Sequence, residues 1–296
     1  TLYITSLAHH RIRKIDPKGT ITTFAGDGVP PTIDGSGGEL DRRRLNASGF
    51  VALDGNNNLY VSDEGANVVR RISPDGTISL VAGTGKAGFS GDSGPAIDAQ
   101  LNLPGALAID DDGNLLIADR LNCRIRVVSS DGRIRTISGR GCDEAMVTLE
   151  PQSALEAWLS NITSLSIGSN KNIFVAEGFF GRVRVIDPSG QISLLAGASP
   201  RTGLDGPAAF ARVDVLRGDL ATDNAGNTFI ASFGIIHKID PAGRISAFVD
   251  YRTRPILGVG IFSIAIDPSG QMFALDWDGR VLPVRVKNFE TLGEII

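Results

Sequence analysis

The chain has 296 residues, of which 42% are hydrophobic and 21% charged, and its formal net charge is −4. This is a globular composition, and it excludes an intrinsically disordered chain, which needs fewer apolar residues and a larger net charge. With 29 basic and 33 acidic residues, the charge balance argues against a nucleic-acid surface as the main function. The longest apolar stretch, residues 256–266, is too short to cross a bilayer, so we expect no membrane span in this chain.

The first predicted strand, Thr1–Ile4, is one copy of a short phrase that recurs along the chain. The later copies are Asn58–Val61, Asn114–Ile117, Asn172–Val175, Asn227–Ile230 and Gln271–Ala274. We interpret them as the same strand, called b, in six copies of one repeat. The strand that precedes b in later copies is missing before Thr1. We therefore expect copy one to have three strands here, or residues upstream of Thr1 to complete it.

The third copy shows four apolar-rich runs. We predict strand a over Ala106–Ile109, strand b over Leu115–Ala118, strand c over Arg124–Val128 and strand d over Arg133–Ile137. Strand c alternates arginines with aliphatic residues, which is typical of a strand that has one solvated face.

The segments between these strands have the chemistry of tight turns. The a–b connections include Asp54–Asn57 and Asp110–Gly113, and the c–d connections include Asp16–Gly19, Ser73–Gly76 and Asp187–Gly190. Proline fixes φ at the first corner of such a turn, aspartate or serine caps it, and glycine accepts the left-handed residue. Short connections of this kind join antiparallel strands.

Six four-stranded units, each too small to bury both of its faces, predict a propeller, because blades bury their faces against one another around an axis. We therefore predict an all-β fold, a six-bladed β-propeller of four-stranded antiparallel blades, in a single domain over residues 1–296. Blade one is expected to lack its inner strand.

The repeat resembles the NHL repeat. The resemblance rests on Ala106–Asp119, on Asn122–Arg126, and on the connecting phrase Ala87–Ala96, which is similar to that of bacterial NHL-repeat proteins. The resemblance covers essentially the whole chain and implies a six-bladed propeller. It implies function only weakly, since members bind proteins, RNA or glycans and a few relatives are lyases or hydrolases.

The strand order defines two surfaces. The a–b and c–d turns share one rim, called the lower rim, and the b–c turns and the long d–a crossovers share the other, called the upper face. We expect function on the upper face, where the loops are long. Its aromatic and histidine residues predict a partner-binding surface; they are Phe179, Phe180, Phe233, Trp277, His9 and His10. The alternative is that these side chains pack beneath the crossovers. At least one of Phe179 and Phe180 should be exposed or lie against a crossover, because successive residues point opposite ways.

Polar residues precede the inner strands at the expected mouth of a central channel. They are Asn46, Asn102, Asn161 and Asp214. Their oxygens and amides could line a polar pocket or hold Ca²⁺. The alternative is that they cap the last turn of each crossover. No other cofactor is expected.

Catalytic motifs are weak in this sequence. Ser93 lies in a Gly-Asp-Ser-Gly phrase but needs a positioned base, and Asp110–Asn114 suggests a metal loop but aligns with a turn. The three histidines, at positions 9, 10 and 237, are not expected to converge on one zinc ion. We therefore predict no catalytic residue. The alternative is a lyase or hydrolase with a metal or polar site at the channel.

The two cysteines, Cys123 and Cys142, fall in the third repeat, one in its b–c turn and the other just after its strand d. Both therefore belong to the upper face, and we predict a disulfide, with two unrelated thiols as the alternative. A disulfide predicts an extracytoplasmic location, whether secreted, periplasmic or an ectodomain. The sequence as a whole predicts a non-catalytic recognition module that binds a protein, glycan or small ligand through its upper face.

Overall fold

The computed structural model describes residues 1–6, 9–28, 45, 48–142, 152–197, 206–208, 213, 218–232, 234–250, 261–267, 269–276 and 280–284. Six antiparallel sheets of three to five strands are the blades of a six-bladed β-propeller, which confirms the predicted fold class. The chain divides into two compact units, residues 1–142 and 143–296, with three blades in each. Whether it forms a single domain stays a prediction.

The first unit contains blades 1 to 3. Blade 1 comprises β1 (Leu2–Ser6), β2 (Arg11–Ile15) and β3 (Ile21–Ala25); blade 2 comprises β4 (Ser48–Leu53), β5 (Leu59–Asp63), β6 (Val68–Ile72) and β7 (Ile78–Ala82); blade 3 comprises β8 (Pro104–Ile109), β9 (Leu115–Asp119), β10 (Arg124–Val128) and β11 (Ile134–Ser138). Blade 1 has three strands, which agrees with the prediction made from the missing strand a before Thr1. Short 3₁₀ turns cover Glu64–Ala66, Ala96–Asp98 and Arg120–Asn122.

The second unit contains blades 4 to 6. Blade 4 comprises β12 (Gln152–Ser153), β13 (Ile162–Ile167), β14 (Ile173–Glu177), β15 (Arg182–Ile186) and β16 (Gln191–Ala196); blade 5 comprises β17 (Gly206–Pro207), β18 (Leu220–Thr222), β19 (Thr228–Ser232), β20 (Ile235–Ile239) and β21 (Arg244–Asp250); blade 6 comprises β22 (Ile261–Ile266), β23 (Met272–Asp276) and β24 (Val281–Val284). A 3₁₀ turn covers Ala154–Glu156. Among the residues described here and in the first unit, no helix is long and apolar enough to cross a bilayer.

Blades 4 and 5 have five strands rather than the predicted four. The extra strands, β12 and β17, belong to the crossovers and pair with the outer strands β16 and β21. In blade 3 the crossover makes a single bridge of the same kind, between Pro95 and Arg133. An outer strand has an unpaired edge, and the crossover covers part of it. Part of each of these crossovers therefore lies along the outside of a blade.

The tight turns follow their sequence chemistry. In the a–b turn of blade 3, Asp110 Oδ1 accepts the backbone N–H groups of Asp112 at 3.0 Å and Asn114 at 2.7 Å. Its Oδ2 accepts the Asn114 amide at 2.8 Å. These bonds engage both carboxylate oxygens within the turn, so the segment that resembles a metal loop is a hydrogen-bonded turn.

Each unit packs apolar side chains between adjacent blades. Val69, Leu101 and Ile117 belong to one such cluster in the first unit, and Phe174 and Ile230 to one in the second. Burying such side chains stabilises a fold by roughly 1.5–3 kcal/mol each.

The prediction of a solvated face on strand c is wrong for half of the arginines described on these strands. Arg70, Arg126, Arg182 and Arg184 are all buried. Blades are covered on both faces, so alternation on these strands does not mark a wet face. These buried guanidinium groups are stabilised by carboxylates that lie beside them, which are described with the candidate site.

Candidate functional site

The last residue of strand b is a buried acid that holds the upper turn in place. In blade 3, Asp119 Oδ1 accepts the backbone N–H of Asn102 at 2.8 Å, and its Oδ2 accepts the Asn122 amide at 2.8 Å. Arg126 Nη1 lies 3.4 Å from the same Oδ2. Burial raises the pKa of Asp119, while the bonds from Asn102 and Asn122 and the charge of Arg126 oppose that rise. One carboxylate thus ties the b–c turn to the residues before the inner strand.

A second ion pair joins the upper turns of blades 2 and 3. Arg120 Nη1 lies 3.2 Å from Glu64 Oε2, and both side chains are largely buried. Burial raises the pKa of Glu64 and the Arg120 charge lowers it. The Arg120 side chain covers Gly105, where an added Cβ would lie 2.3 Å from Arg120 Cδ. A larger residue at position 105 would therefore force the Arg120 side chain to move.

Three side chains beside the blade 3 turn are called the blade-3 patch: Phe89 and Leu121, which are exposed, and Arg124, which is half-buried. Leu121 is 58% exposed and Phe89 42% exposed. Arg124 Cζ lies 3.8 Å from the centre of the Phe89 ring. The guanidinium is fixed by two carbonyl groups, those of Asn122 and Arg140, each at 2.8 Å. The patch therefore combines apolar surface with a positioned cation.

The predicted disulfide is confirmed. Cys123 and Cys142 are bonded, with their Cα atoms 5.2 Å apart. Cys123 ends the b–c turn in the left-handed region, at φ 51°. The bond therefore clamps this turn to the crossover that follows strand d, directly beside Leu121.

The turn of blade 4 carries a second group, called the blade-4 patch: Phe179, Phe180 and Arg182, of which Phe179 is exposed and Arg182 is buried. Phe179 is 60% exposed, in agreement with the prediction that at least one of the pair is exposed or lies against a crossover. The two rings meet edge to face with centres 5.2 Å apart. Arg182 Cζ lies 4.7 Å from the centre of the Phe180 ring. As in blade 3, the first arginine of strand c stacks on an aromatic ring.

The histidines occupy different environments. His9 is exposed in the turn after β1, and His10 Nδ1 lies 3.1 Å from the carbonyl oxygen of Leu45. His237 is buried within β20, in the other unit. Within the described part of the chain, no three histidine, cysteine or acidic side chains are grouped closely enough to hold a metal ion.

Two of the four residues predicted at the channel mouth are described. The Asn102 carbonyl accepts the N–H of Leu121 at 3.1 Å, and the Asn161 carbonyl accepts that of Gly178 at 3.0 Å. These are backbone bonds to the b–c turns, so the polar pocket and the capping of the crossovers both stay predictions. Asn46, Asp214, Phe233 and Trp277 lie outside the described residues, so their roles, and the calcium alternative, stay predictions.

Asp219 is a buried site that the sequence analysis missed. It precedes β18 and accepts the hydroxyl groups of Ser164 at 2.7 Å and Ser263 at 2.8 Å, which belong to the inner strands of blades 4 and 6. Its carboxylate also accepts the backbone N–H of Leu220 at 2.9 Å and of Ile264 at 3.2 Å. Burial raises the pKa of Asp219 and these four bonds oppose that rise. The Asp219 carboxylate thus connects the inner strands of blades 4, 5 and 6 by hydrogen bonds.

Sequence comparison finds similarity to NHL-repeat proteins over part of this chain. The family model of the teneurin NHL domain matches residues 42–129. Human teneurin-4 is 37% identical over 97 residues, which is 28% of this chain and 4% of that protein. Drosophila melanogaster teneurin-m is 26% identical over 199 residues, 59% of this chain and 7% of that protein. The chain thus spans less than a tenth of the length of these relatives.

Solved structures share the fold at low identity. Virginiamycin B lyase from Staphylococcus aureus has a TM-score of 0.58 and 16% identity, covering 99% of this chain and 79% of the lyase. A gluconolactonase from Xanthomonas campestris has a TM-score of 0.61 and 14% identity, covering 93% and 78%. A chain of a nidogen–laminin complex has a TM-score of 0.59 and 14% identity, covering 94% and 86%. These structures share the β-propeller fold of this chain, a fold found both in enzymes and in a complex of two proteins.

Proposed function

We propose that this propeller is a non-catalytic recognition module that binds a protein partner through its upper face. The observation that carries the proposal is the exposure of Phe179, whose ring is 60% accessible in a turn between two buried strands. Exposed aromatic residues beside positioned polar groups are typical anchors of protein interfaces. The blade-3 patch repeats this combination with Phe89 and Arg124.

The comparisons support a binding role without specifying it. The match to the teneurin NHL domain covers the repeat that contains the blade-3 patch. The nidogen–laminin structure is a complex of two proteins, so a propeller of this fold occurs in such an assembly. The lyase and lactonase neighbours share only the fold, and we offer no catalytic site.

The disulfide supports an extracytoplasmic location. Structural disulfides form and persist in oxidising compartments and are rare in the cytosol. The Cys123–Cys142 bond lies at the proposed binding surface, so oxidation would also fix the shape of that surface. We therefore propose that the protein meets its partner outside the cytoplasm.

The test is a comparison of variants on opposite rims. The binding partner is first identified by screening an array of purified extracellular proteins. The affinity of that partner for the wild-type propeller is then measured. We expect Phe179→Ala to weaken binding by about 2 kcal/mol, or about 30-fold, because an exposed aromatic anchor is lost. The thermal unfolding midpoint should hardly change, since the side chain is mostly in solvent.

Lys18→Ala and Asp75→Ala are the controls, because both residues are exposed in c–d turns of the lower rim. We expect these variants to bind like the wild type. If they abolish binding while Phe179→Ala has no effect, the upper face is not the binding surface.

A further inference from the structure

The disulfide adds a covalent bond to a contact that other blades make without one. In blade 3 the backbone of Gly139, just after β11, passes so close to the Cys123 carbonyl that a Cβ at position 139 would overlap its oxygen. The corresponding residues approach each other in the same way in three other blades: His10 and Gly26, Asn67 and Gly83, and Gly181 and Gly197. No cysteine occurs in these pairs. The return of the chain beside a b–c turn therefore does not depend on a disulfide.

Cys123 also occupies a backbone position that suits other residues better. Its φ is 51°, and the corresponding residues His10, Asn67 and Gly181 are left-handed as well, at φ 49°, 54° and 57°. Glycine and asparagine adopt this backbone more readily than cysteine does. The cysteine at this position is therefore explained by its bond rather than by its backbone preference.

The disulfide joins the same two segments as a side chain of the blade-3 patch. Arg124 directly follows Cys123, and its Nη2 donates to the Arg140 carbonyl at 2.8 Å. Its Cζ lies 3.8 Å from the centre of the Phe89 ring. Leu121, the most exposed residue of the patch, comes two residues before Cys123. The disulfide therefore fixes both the cation and the apolar side chain of the patch relative to the residues after β11.

The bond is open to solvent on one side. Cys142 is exposed, whereas Cys123 is buried. Thiol–disulfide exchange requires an attacking thiolate to reach a sulfur atom, and exposed disulfides are reduced more readily than structural ones. We therefore expect a thiolate in solution to attack the bond at Cys142.

We propose that the Cys123–Cys142 bond is a redox switch of the blade-3 patch, which a dithiol opens to weaken partner binding. This deepens the proposed function and rests on it for the binding role of the patch. Reduction leaves the blade folded, because three other blades keep the same backbone contact without a crosslink. It frees the residues after Gly139 from the turn, and Arg124 and Leu121 lose their fixed positions.

The exchange takes place in two steps. One thiolate of the dithiol bonds to Cys142 Sγ, and the electron pair of the broken sulfur–sulfur bond leaves with Cys123 Sγ, which takes up a proton. The second thiolate of the dithiol then bonds to the first, and the electron pair of the mixed disulfide leaves with Cys142 Sγ, which is protonated in turn. The protein gains two electrons and two protons, and the dithiol is oxidised to its cyclic disulfide.

Reduction of the intact protein tests the switch without the partner. The protein is treated with dithiothreitol under native conditions, and a thiol titration confirms that both cysteines of the pair are free. We expect amide hydrogen exchange to become about 10-fold faster at residues 121–124, because the turn then opens locally. Exchange at residues 64–67, the corresponding turn of blade 2, should not change.

Arginine side chains report whether the rest of the blade stays folded. On reduction the Arg124 Nε–Hε resonance should move toward that of free arginine, and Arg124→Lys identifies this resonance. The Arg126 resonance should stay in place, because Asp92 and Asp119 still bind its guanidinium.

The matched control is the double variant Cys123→Asn with Cys142→Ser. Blade 2 has asparagine, Asn67, at the corresponding left-handed position, so this variant removes the crosslink without adding backbone strain. It should give the spectrum of the reduced wild type and should not respond to dithiothreitol.

Three results would overturn the switch. They are resistance of the native disulfide to dithiothreitol, no change at Arg124 and residues 121–124 once both thiols are free, and loss of the Arg126 resonance together with that of Arg124. In the last case the bond is a structural crosslink of the whole blade.

Partner binding separates the switch from the proposed function. Reduction should weaken binding by about 10-fold, which corresponds to about 1.4 kcal/mol, and the double variant should bind like the reduced wild type. If Phe179→Ala weakens binding and reduction does not, the proposed function stands and the switch is wrong. If neither change affects binding, the proposed function fails as well.

Discussion

Replacing Glu177 with glutamine is expected to lower the free energy of unfolding by about 3–5 kcal/mol. The glutamine keeps the size of the side chain and one acceptor oxygen, but it removes the charge that compensates Arg182 and Arg184, whose nitrogens lie 2.7 Å and 3.8 Å from Glu177 Oε2. Both arginines are buried, so two cations would remain without a counter-charge among the described residues. Chemical denaturation followed by far-ultraviolet circular dichroism measures the loss.

Asp119→Asn is the matched control in blade 3. It removes the equivalent strand-ending carboxylate, but Asp92 still pairs with Arg126 at 2.7 Å. We therefore expect a smaller loss for Asp119→Asn than for Glu177→Gln. Equal losses, or a larger loss in blade 3, would contradict the view that Glu177 is the main counter-charge of Arg182 and Arg184.

Removing the disulfide is expected to cost about 3 kcal/mol, the stabilisation typical of a crosslink that closes a loop of roughly this length. Cys123 and Cys142 are separated by 19 residues, and the bond limits the freedom of the unfolded chain between them. The change is the double variant Cys123→Ser with Cys142→Ser, and thermal or chemical unfolding of the oxidised wild type is the reference.

A reducing agent provides the control for this variant. It should lower the stability of the wild type toward that of the serine variant and leave the variant itself unchanged. If the reducing agent has no effect on the wild type, or affects both proteins equally, the disulfide does not stabilise the fold.

The fold could be predicted from the sequence because its signals are local and repeated. Each Asp-Pro-x-Gly turn marks the end of one strand and the start of the next. Predicted strand c of the third repeat coincides with β10, Arg124–Val128. The short strands β12 and β17 could not be predicted, because their pairing depends on the free edge of an outer strand rather than on their own residues.

The candidate site was only partly predictable. The exposed turn residue Phe179 and the bonded pair Cys123–Cys142 follow from position in the repeat. The buried roles of Arg182 and Arg184 do not, since alternation of arginine with aliphatic residues gives the same pattern on a solvated strand as on one between two blades. Asp219 was missed because the hydroxyl groups that bind it belong to two other repeats.

The most direct test of the central claim is the footprint of the bound partner, measured by amide hydrogen exchange on the complex and on the free protein. Binding through the upper face should slow exchange at residues 178–182 of the blade 4 turn, and leave the c–d turn of the same blade, residues 187–190, unchanged. Slower exchange at 187–190 with no change at 178–182 would contradict the account, because it would place the partner on the lower rim.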